Sequence, residues 1–271
     1  MRQRRWRLLL GLLWLVSVGS RCEAQDAGVV TLAEIAAGRV RLVDLTWPLN
    51  EKNPYWPGGD YQPFALKTIA TLEKNGVLSK AFSMPEHLGT NIDAPNHFEA
   101  DRPSVGQIEP QQLFGPGVKL DITSRAEHDA DTLLTVEDIL ASEQKHGRIP
   151  SGAIVFLQTG WARHWENYPR YKNQDATDKL HFPGNSPEAA QLLVAERQVR
   201  GIGIDTLSID RGLSRDFAVH HIVNKATKYG LENVAALEQL PPRGFHVIVA
   251  PIRLEAGSGG PTRIFAVLPR E

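Results

Sequence analysis

The chain contains very little cysteine, and this scarcity limits the covalent links and metal sites that it can form. Cys22 is the only cysteine among 271 residues. No internal disulfide can form, and thiolate metal sites of the C-x-x-C type are excluded. An excess of one charge is also missing, because 30 basic residues face 31 acidic ones. This balance argues against a nucleic-acid-binding surface as the main function.

Sequence signatures of several large enzyme classes are absent as well. The chain has no G-x-S-x-G nucleophile elbow, no H-E-x-x-H zinc motif and no phosphate-binding loop. The glycine-rich residues 257–260 precede Pro261 and a predicted strand rather than a helix, so we expect no phosphate site there. With 42% hydrophobic and 23% charged residues, the composition is that of an ordinary globular protein.

The first 24 residues are typical of a secretory signal peptide rather than of a folded segment. Four arginines among the first seven residues precede an apolar run over residues 8–18, which is too short to span a bilayer comfortably. Small residues then lead to Ala24, where we predict cleavage. The alternative is an N-terminal membrane anchor. Cleavage would remove Cys22 with five arginines and one glutamate, and would change the net charge from −1 to −5. We therefore predict an exported protein, periplasmic or secreted, without stable membrane association.

Strand and helix patterns alternate over residues 25–271 and predict a single α/β domain. Runs rich in Val, Ile and Leu predict buried strands over residues 40–45, 118–122, 153–158, 201–207, 246–250 and 264–268. Thr135 begins a capped helix that Gly147 ends, Ser186 begins a second helix, and a third is predicted over residues 214–228. Residues 167–179 are predicted to form a polar loop. Since no Pro/Gly-rich linker divides the chain, we expect mixed β-sheets with flanking helices.

One stretch, residues 85–98, concentrates side chains that can ligate a metal. Its four candidate ligands all stand at odd positions: His87, Asn91, Asp93 and His97. Successive residues of an extended strand alternate between its two faces, so one face would present imidazole, amide and carboxylate groups. Nitrogen and oxygen ligands of this kind suit Zn, Mn or Fe. The alternative is a polar turn between two prolines, whose histidines form ordinary surface hydrogen bonds.

A second group of candidate ligands lies more than a hundred residues further along the chain. His220 and His221 fall in the predicted third helix, and Glu232 follows that helix. Adjacent residues on a helix point about 100° apart, so we expect at most one of the two histidines to ligate the same ion. The alternative is that both are partly buried polar residues of the helix.

Residues 87–97 read His-Leu-Gly-Thr-Asn-Ile-Asp-Ala-Pro-Asn-His and resemble the H-x-G-T-H-x-D-x-P-x-H motif of the cyclase family of metal-dependent hydrolases. That family includes bacterial kynurenine formamidases and isatin hydrolases. Four further segments look like family segments, namely residues 55–58, 182–189, 203–208 and 231–234. The chain length and residues 205–208 look more like the longer, isatin-hydrolase-like members. The resemblance implies the family's swivelling β/β/α-type fold.

The resemblance also implies a role for each residue that matches the family. His87 and Asp93 match metal ligands, and His97 matches the histidine that is placed for proton transfer. His220 stands twelve residues before Glu232, which is the family's spacing for its two later ligands. The implied metal site therefore joins two segments that are distant in the sequence.

Asn91 departs from the family motif, which has a second histidine at this position. As a metal ligand, an amide oxygen suits Mn or Ca but is poorer than imidazole for Zn. The substitution would shift the metal preference towards harder ions, weaken the affinity, or reduce the site from two metals to one. It would also fit a family member that has lost its activity.

The sequence therefore predicts a hydrolase that uses Mn²⁺ or Zn²⁺ to cleave an amide-type C–N bond of a small aromatic substrate, such as an isatin-like cyclic amide or an N-formyl arylamine. The ion would activate water, and His97 would act as general acid and base. Ser208 is a candidate for orienting the water or the substrate, with a plain hydrogen-bonding role as the alternative. The alternative function is a weakened or inactive family member that binds a ligand. The resemblance also implies a homodimer or larger assembly.

Aromatic residues in or beside these segments are candidates for the substrate pocket. Trp56, Phe82, Trp161 and Phe182 would suit a flat aromatic ring. The alternative is packing in the hydrophobic core, which we expect for at least half of the aromatic residues in this part of the sequence.

Overall fold

The described part of the chain, residues 32–270 of this computed structural model, alternates strands and helices. In chain order, its strands are β1 Val40–Asp44, β2 Ala65–Ala70, β3 Ser79–Ser83, β4 Asn91–Asp93, β5 Phe114–Asp121, β6 Leu133–Leu134, β7 Ile154–Gln158, β8 Gly184–Asn185, β9 Gly201–Ile204, β10 Tyr229–Glu232, β11 Phe245–Pro251 and β12 Gly259–Pro269. Its α-helices are α1 Leu32–Ala36, α2 Leu72–Asn75, α3 Thr123–Ala126, α4 Val136–His146, α5 Tyr168–Lys172, α6 Pro187–Gln191 and α7 Ala218–Lys225. The predicted signal peptide, residues 1–24, lies outside the described residues.

Eight of these strands form one mixed sheet in the order β1-β12-β11-β5-β7-β9-β10-β4. Strands β5, β7, β9 and β10 are parallel to one another, and the other pairings are antiparallel. The start of β12 also pairs with β4, so seven strands close into a ring while β1 pairs with the end of β12. The six predicted strands all lie in this sheet, at slightly shifted bounds.

The sheet has a hydrophobic core on each face, because successive strand residues point to opposite sides. In β7, Val155 and Leu157 belong to the core that α4, α6 and α7 cover. Ile154 and Phe156 of the same strand belong to the second core, together with residues of β1, β4, β10, β11 and β12. Burial on both faces explains why the parallel strands read as continuous apolar runs in the sequence.

The helices begin and end close to where the capping residues indicate. The Thr135 side chain accepts a hydrogen bond from the Asp138 amide, and Gly147 follows the last residue of α4. Ser186 caps α6, which continues as one π-helical turn over Leu192–Glu196. The third predicted helix is shorter than residues 214–228, because the left-handed backbone of Phe217 starts α7 only at residue 218.

The predicted polar loop over residues 167–179 is wrong in its first half, which contains the helix α5. The Asn167 side chain caps this helix by accepting a hydrogen bond from the Arg170 amide, and Pro169 stands in its first turn. Tyr171 is completely buried, and its hydroxyl lies 2.9 Å from two acceptors, the Asp205 carbonyl oxygen and Asn233 Oδ1, to one of which it donates. A single buried aromatic residue therefore gives this polar segment a fixed structure.

Strands β2 and β3 form a separate two-stranded hairpin that is mostly exposed. Large apolar side chains on it and on its connecting turn are exposed, among them Leu66, Ile69, Leu72, Leu78 and Phe82. The chain leaves this hairpin at Ser83 and leads directly to residue 87. Among residues 32–270, no helix has both the length and the apolar character needed to cross a membrane.

Candidate metal centre

The two predicted ligand groups meet where β4 pairs with β10. Their antiparallel register places Asn91 opposite Glu232 and Asp93 opposite Gly230. Gly230 is required here, since a Cβ atom at that position would lie 2.8 Å from Asp93 Oδ2. The strand pairing therefore holds two carboxylates and an amide side by side, and α7 brings His220 against them.

Asp93, His220 and Glu232 offer three donor atoms within 4.8 Å of one another, and two of the three spacings match those of ligands of one metal ion. The Nε2 atom of His220 lies 3.3 Å from Asp93 Oδ2 and 3.3 Å from Glu232 Oε1. Two ligand atoms that are each about 2.0–2.1 Å from a tetrahedral ion are about 3.3 Å apart. One Nε2 proton cannot bond well to two carboxylates at once, so the arrangement fits a shared divalent ion better than a hydrogen bond.

Asp210 fixes the orientation of the His220 ring. The Nδ1 atom of His220 lies 2.7 Å from Asp210 Oδ2, which accepts the Nδ1 proton and leaves Nε2 to face the two carboxylates. The same carboxylate accepts hydrogen bonds from the backbone amides of Val219 and His220. A carboxylate that holds the far nitrogen of a histidine is typical of metal sites, because it sets the tautomer and raises the basicity of the ligand.

His87 contacts the same group from the opposite side. Its Nδ1 atom is 2.6 Å from Asp93 Oδ1, and its Nε2 atom is 2.9 Å from Ser258 Oγ. The Ser258 hydroxyl donates to Glu86 Oε2 at 2.6 Å, so it must accept from His87 Nε2–H. His87 therefore directs its Nδ1 atom towards the carboxylates.

A chain of hydrogen bonds fixes which way the Asn91 amide points. The carbonyl oxygen of Gly89 can only accept, so the group of Asn233 that lies 2.9 Å from it is the NH₂ group. This NH₂ group also donates to Asn91 Oδ1 at 3.3 Å. The Asn91 Nδ2 atom consequently faces Asp93 Oδ1 at 2.9 Å and Glu232 Oε2 at 3.4 Å. The predicted ligand oxygen of Asn91 thus points away from the carboxylates, which receive its N–H bonds instead.

The electrostatics of the buried group also favour a cation. Burial alone would raise the pKa of Asp93, but hydrogen bonds from His220 and His87 hold it well below its ordinary value. Burial and the negative charge of Asp93 raise the pKa of Glu232. Burial would lower the pKa of His220, yet hydrogen bonds to Asp210, Asp93 and Glu232 raise it well above normal. Two neighbouring buried carboxylates are unfavourable without positive charge, which a protonated His220 supplies when no metal is bound and which a divalent ion would supply in its place.

His97 stands beside the donor group without a hydrogen-bond contact to the carboxylates. It ends a short 3₁₀ helix, Pro95–His97, and its ring stacks on His87 with 3.9 Å between ring centroids. Burial, reinforced by the two neighbouring histidines, lowers the pKa of His97 to about 3. Its imidazole is therefore neutral at neutral pH.

A cavity of about 160 Å³ opens onto these residues. His87, His97, His220 and Glu232 line its polar side. Trp56, Tyr61, Phe98, Leu207 and Phe217 line its apolar side. Such a mixture of aromatic walls and a few convergent polar groups is typical of a small-molecule site.

Only some of the predicted catalytic and substrate-binding residues line this cavity. Trp56 and Ser208 line it, and the Ser208 hydroxyl accepts a hydrogen bond from the Asp210 amide. Phe82 lies on the β2–β3 hairpin, and the structure places it outside the cavity lining. Trp161 and Phe182 are buried in an aromatic cluster behind the cavity, so they pack in the core rather than contact a ligand.

The geometry also identifies functional residues that could not be identified from the sequence. Asp210 is one of them, because its carboxylate binds His220 and the first turn of α7. Ser258 and Asn233 orient His87 and Asn91. The available signal for Asp210 is its place two residues after the family-like segment 203–208, which begins in β9. His221, in contrast, lies at the surface and contacts Glu99.

A family model described as "Putative cyclase" matches residues 43–211. The chain belongs to this family. Isatin hydrolase of Roseibium aggregatum is 28% identical over 256 residues, which cover 88% of this chain and 95% of that protein. Kynurenine formamidase of Bacillus cereus is 27% identical over 227 residues, which cover 82% of this chain and 94% of that protein.

A solved structure extends this similarity to the fold. Isatin hydrolase A from Labrenzia aggregata, bound to benzyl benzoate, matches with a TM-score of 0.83 and 35% sequence identity. The match covers 88% of this chain and 97% of the other chain. The predicted cyclase-family fold is thereby confirmed.

Proposed function

We propose that this cyclase-family chain is a metal-dependent hydrolase that cleaves an amide-type C–N bond of a small aromatic substrate. One observation carries the proposal: the donor atoms of Asp93, His220 and Glu232 converge at the cavity that His97 also lines. The reaction class follows from the relatives named isatin hydrolase and kynurenine formamidase. A single site would thus join a metal, a proton-transfer group and an aromatic wall.

We infer that the ion is Mn²⁺ or Zn²⁺, held by Asp93, His220 and Glu232. Two carboxylates and one imidazole suit either ion. When bound, the ion supplies Lewis acidity, which polarises an amide carbonyl and lowers the pKa of water. His87 contacts Asp93 Oδ1 through its Nδ1 atom and so helps to hold this carboxylate in place. Asn91 donates to the outer oxygens of the carboxylates and restrains them, rather than serving as a ligand.

His97 is the residue best placed to move protons in this site. It lines the cavity, and its stacking on His87 fixes the plane of its ring. The neutral imidazole takes a proton from the attacking water and returns it to the nitrogen that leaves when the C–N bond breaks. One side chain therefore serves both halves of the hydrolysis, and its net proton balance is zero.

Metal reconstitution of chelator-treated protein tests this function. We expect Mn²⁺ or Zn²⁺ to restore hydrolysis of isatin or N-formylkynurenine. We expect His97→Ala to lower the rate by roughly 10²–10⁴-fold, as for loss of a general acid–base group. His221→Ala is the matched control, because it removes a neighbouring histidine that lies outside the cavity. Absence of hydrolysis of either substrate with either ion would contradict the proposal.

A second function, ligand binding without catalysis, is favoured by one observation only. Asn91 replaces the second histidine of the family motif, and its amide group turns N–H donors towards the carboxylates. In this case the cavity would bind an aromatic amide that the protein leaves intact. Retained metal binding together with failure to hydrolyse any amide would identify this function.

We further propose that the mature protein is exported and forms a homodimer. The basic and apolar composition of residues 1–24 supports export. The exposed apolar side chains of the β2–β3 hairpin support self-association, since a two-stranded hairpin has little stability of its own. Analysis of the mature N-terminus in a culture fraction tests export, and light scattering of the purified protein tests the dimer.

A further inference from the structure

Phe217 has a backbone conformation that bulky residues rarely adopt. Its φ and ψ angles are 47° and 42°, in the left-handed region. A side chain with a Cβ atom is strained in this region, whereas glycine is not. Residues held in such conformations cluster at functional sites, so an observed outlier calls for a functional explanation.

Phe217 also occupies a position that normally has a different residue. It is the N-cap of α7, where Ser, Thr, Asp or Asn would accept the free backbone amides of the first turn. Phenylalanine cannot do so, and Asp210 accepts the Val219 and His220 amides in its place. Ser214 Oγ accepts the Phe217 amide itself at 3.1 Å. Distant groups therefore perform the capping, and residue 217 is left without a capping role.

The strained turn places the Phe217 ring over the cavity. Its centroid lies 6.0 Å from Trp56 and 5.3 Å from Phe98, and all three rings line the same space. His220, whose ring centroid lies 6.0 Å from that of Phe217, follows three residues later on the same turn. The segment that carries a metal ligand thus also carries an aromatic wall.

We propose that Phe217 is the specificity-determining residue of this site, and that its strained backbone is retained because it aims the ring at a planar aromatic substrate. This inference rests on the proposed function for the identity of the substrate. The contribution of the Phe217 ring to ligand binding, however, does not depend on catalysis. The ring selects flat substrates by contact with their faces, since aromatic pairs favour offset stacked or edge-to-face geometry. Loss of this ring would leave only Trp56 and Phe98 as aromatic walls and would weaken the preference of the cavity for flat rings.

The backbone strain is tested by comparing Phe217→Gly with Phe217→Ala. Both variants lack the ring, so they differ only in the Cβ atom at a left-handed position. We expect the glycine variant to melt about 2–4 °C higher than the alanine variant. Equal melting temperatures, or a lower value for glycine, would overturn the claim of strain.

The specificity is tested by binding of benzoate and cyclohexanecarboxylate, which share a carboxylate and differ in the flatness of the ring. Calorimetry on the metal-loaded protein should show a preference for benzoate that falls by about ten-fold in Phe217→Ala. Phe217→Leu keeps the apolar volume and should also lose the preference, which guards against a misfolded alanine variant. A benzoate preference that changes less than two-fold in both variants would overturn the specificity role.

Ala236→Gly is the matched control, because Ala236 also has a left-handed backbone, with φ 55°, and lies outside the cavity lining. It should raise the melting temperature and leave the benzoate preference unchanged. A change in preference would show that strain relief alone alters selectivity, and would overturn the role of the ring. If the wild-type protein hydrolyses no amide, the proposed function fails, while these binding ratios still decide the role of Phe217.

Discussion

Asp210 offers a direct test of how the structure prepares His220 for a metal ion. Asp210→Asn keeps the shape of the side chain but removes its charge and one of its two acceptor oxygens. The lost partner is buried and lies 2.7 Å from His220 Nδ1. Loss of an orienting carboxylate of this kind typically costs 10–100-fold in metal affinity, or about 1.4–2.7 kcal/mol.

The same substitution should also destabilise the fold, because Asp210 accepts two backbone amides at the start of α7. Loss of a helix cap costs about 1–2 kcal/mol, which lowers the melting temperature by about 2–8 °C in a domain of this size. Competition with a chelator measures the affinity for Zn²⁺ or Mn²⁺, and calorimetry without metal measures the stability.

Asp216→Asn is the matched control for Asp210→Asn. It removes the same charge from the same turn, but Asp216 is exposed, and its carboxylate accepts a hydrogen bond from the Ser214 hydroxyl rather than from His220. Metal affinity should fall only in the Asp210 variant. If the two variants bind the ion equally tightly, Asp210 does not orient a metal ligand, and the reasoning about His220 is refuted.

Two further predictions follow from buried contacts. Asn91→His places an imidazole where the amide now donates to Asp93 and Glu232, so the amount of zinc bound per chain should rise. If elemental analysis finds the zinc content unchanged, residue 91 does not belong to the metal centre. Glu143→Gln weakens the paired hydrogen bonds of 2.7 and 2.9 Å to the buried Arg197. It should lower the free energy of unfolding, measured with urea at pH 7, by about 2–4 kcal/mol. Hydrogen bonding to Arg197 lowers the pKa of Glu143 below 4.5. The contribution of Glu143 to the free energy of unfolding is therefore complete above pH 4.5 and is lost as the pH falls through the lowered pKa. The free energies of unfolding of wild type and variant should converge in acid. A constant difference down to low pH would contradict this.

The central strands could be predicted from the sequence because they are buried on both faces. All five residues of β7 are buried, and this gives an apolar run that no polar residue interrupts until its end. The site strand β4 was harder to delimit, since it has only three residues. The alternation predicted over residues 85–98 applies to Asn91 and Asp93, but Pro95 begins a 3₁₀ turn that moves His97 off the strand.

The ligand types could be predicted from the local motif, whereas their orientations could not. The direction of the Asn91 amide depends on Asn233, which is 142 positions away and takes its own orientation from a backbone carbonyl. The role of Asp210 depends on the start of α7, which sequence spacing does not define. Aromatic residue types also fail to separate a pocket from a core, as Trp161 and Phe182 illustrate.

The position of a bound ion would show whether Asp93, His220 and Glu232 hold a metal together. Crystals of the protein grown with Mn²⁺ would reveal the ion by its anomalous scattering. We predict a peak about 2.0–2.3 Å from Asp93 Oδ2, His220 Nε2 and Glu232 Oε1. A peak at another position, or no peak among these three atoms in crystals grown at millimolar Mn²⁺, would show that these residues do not hold the ion.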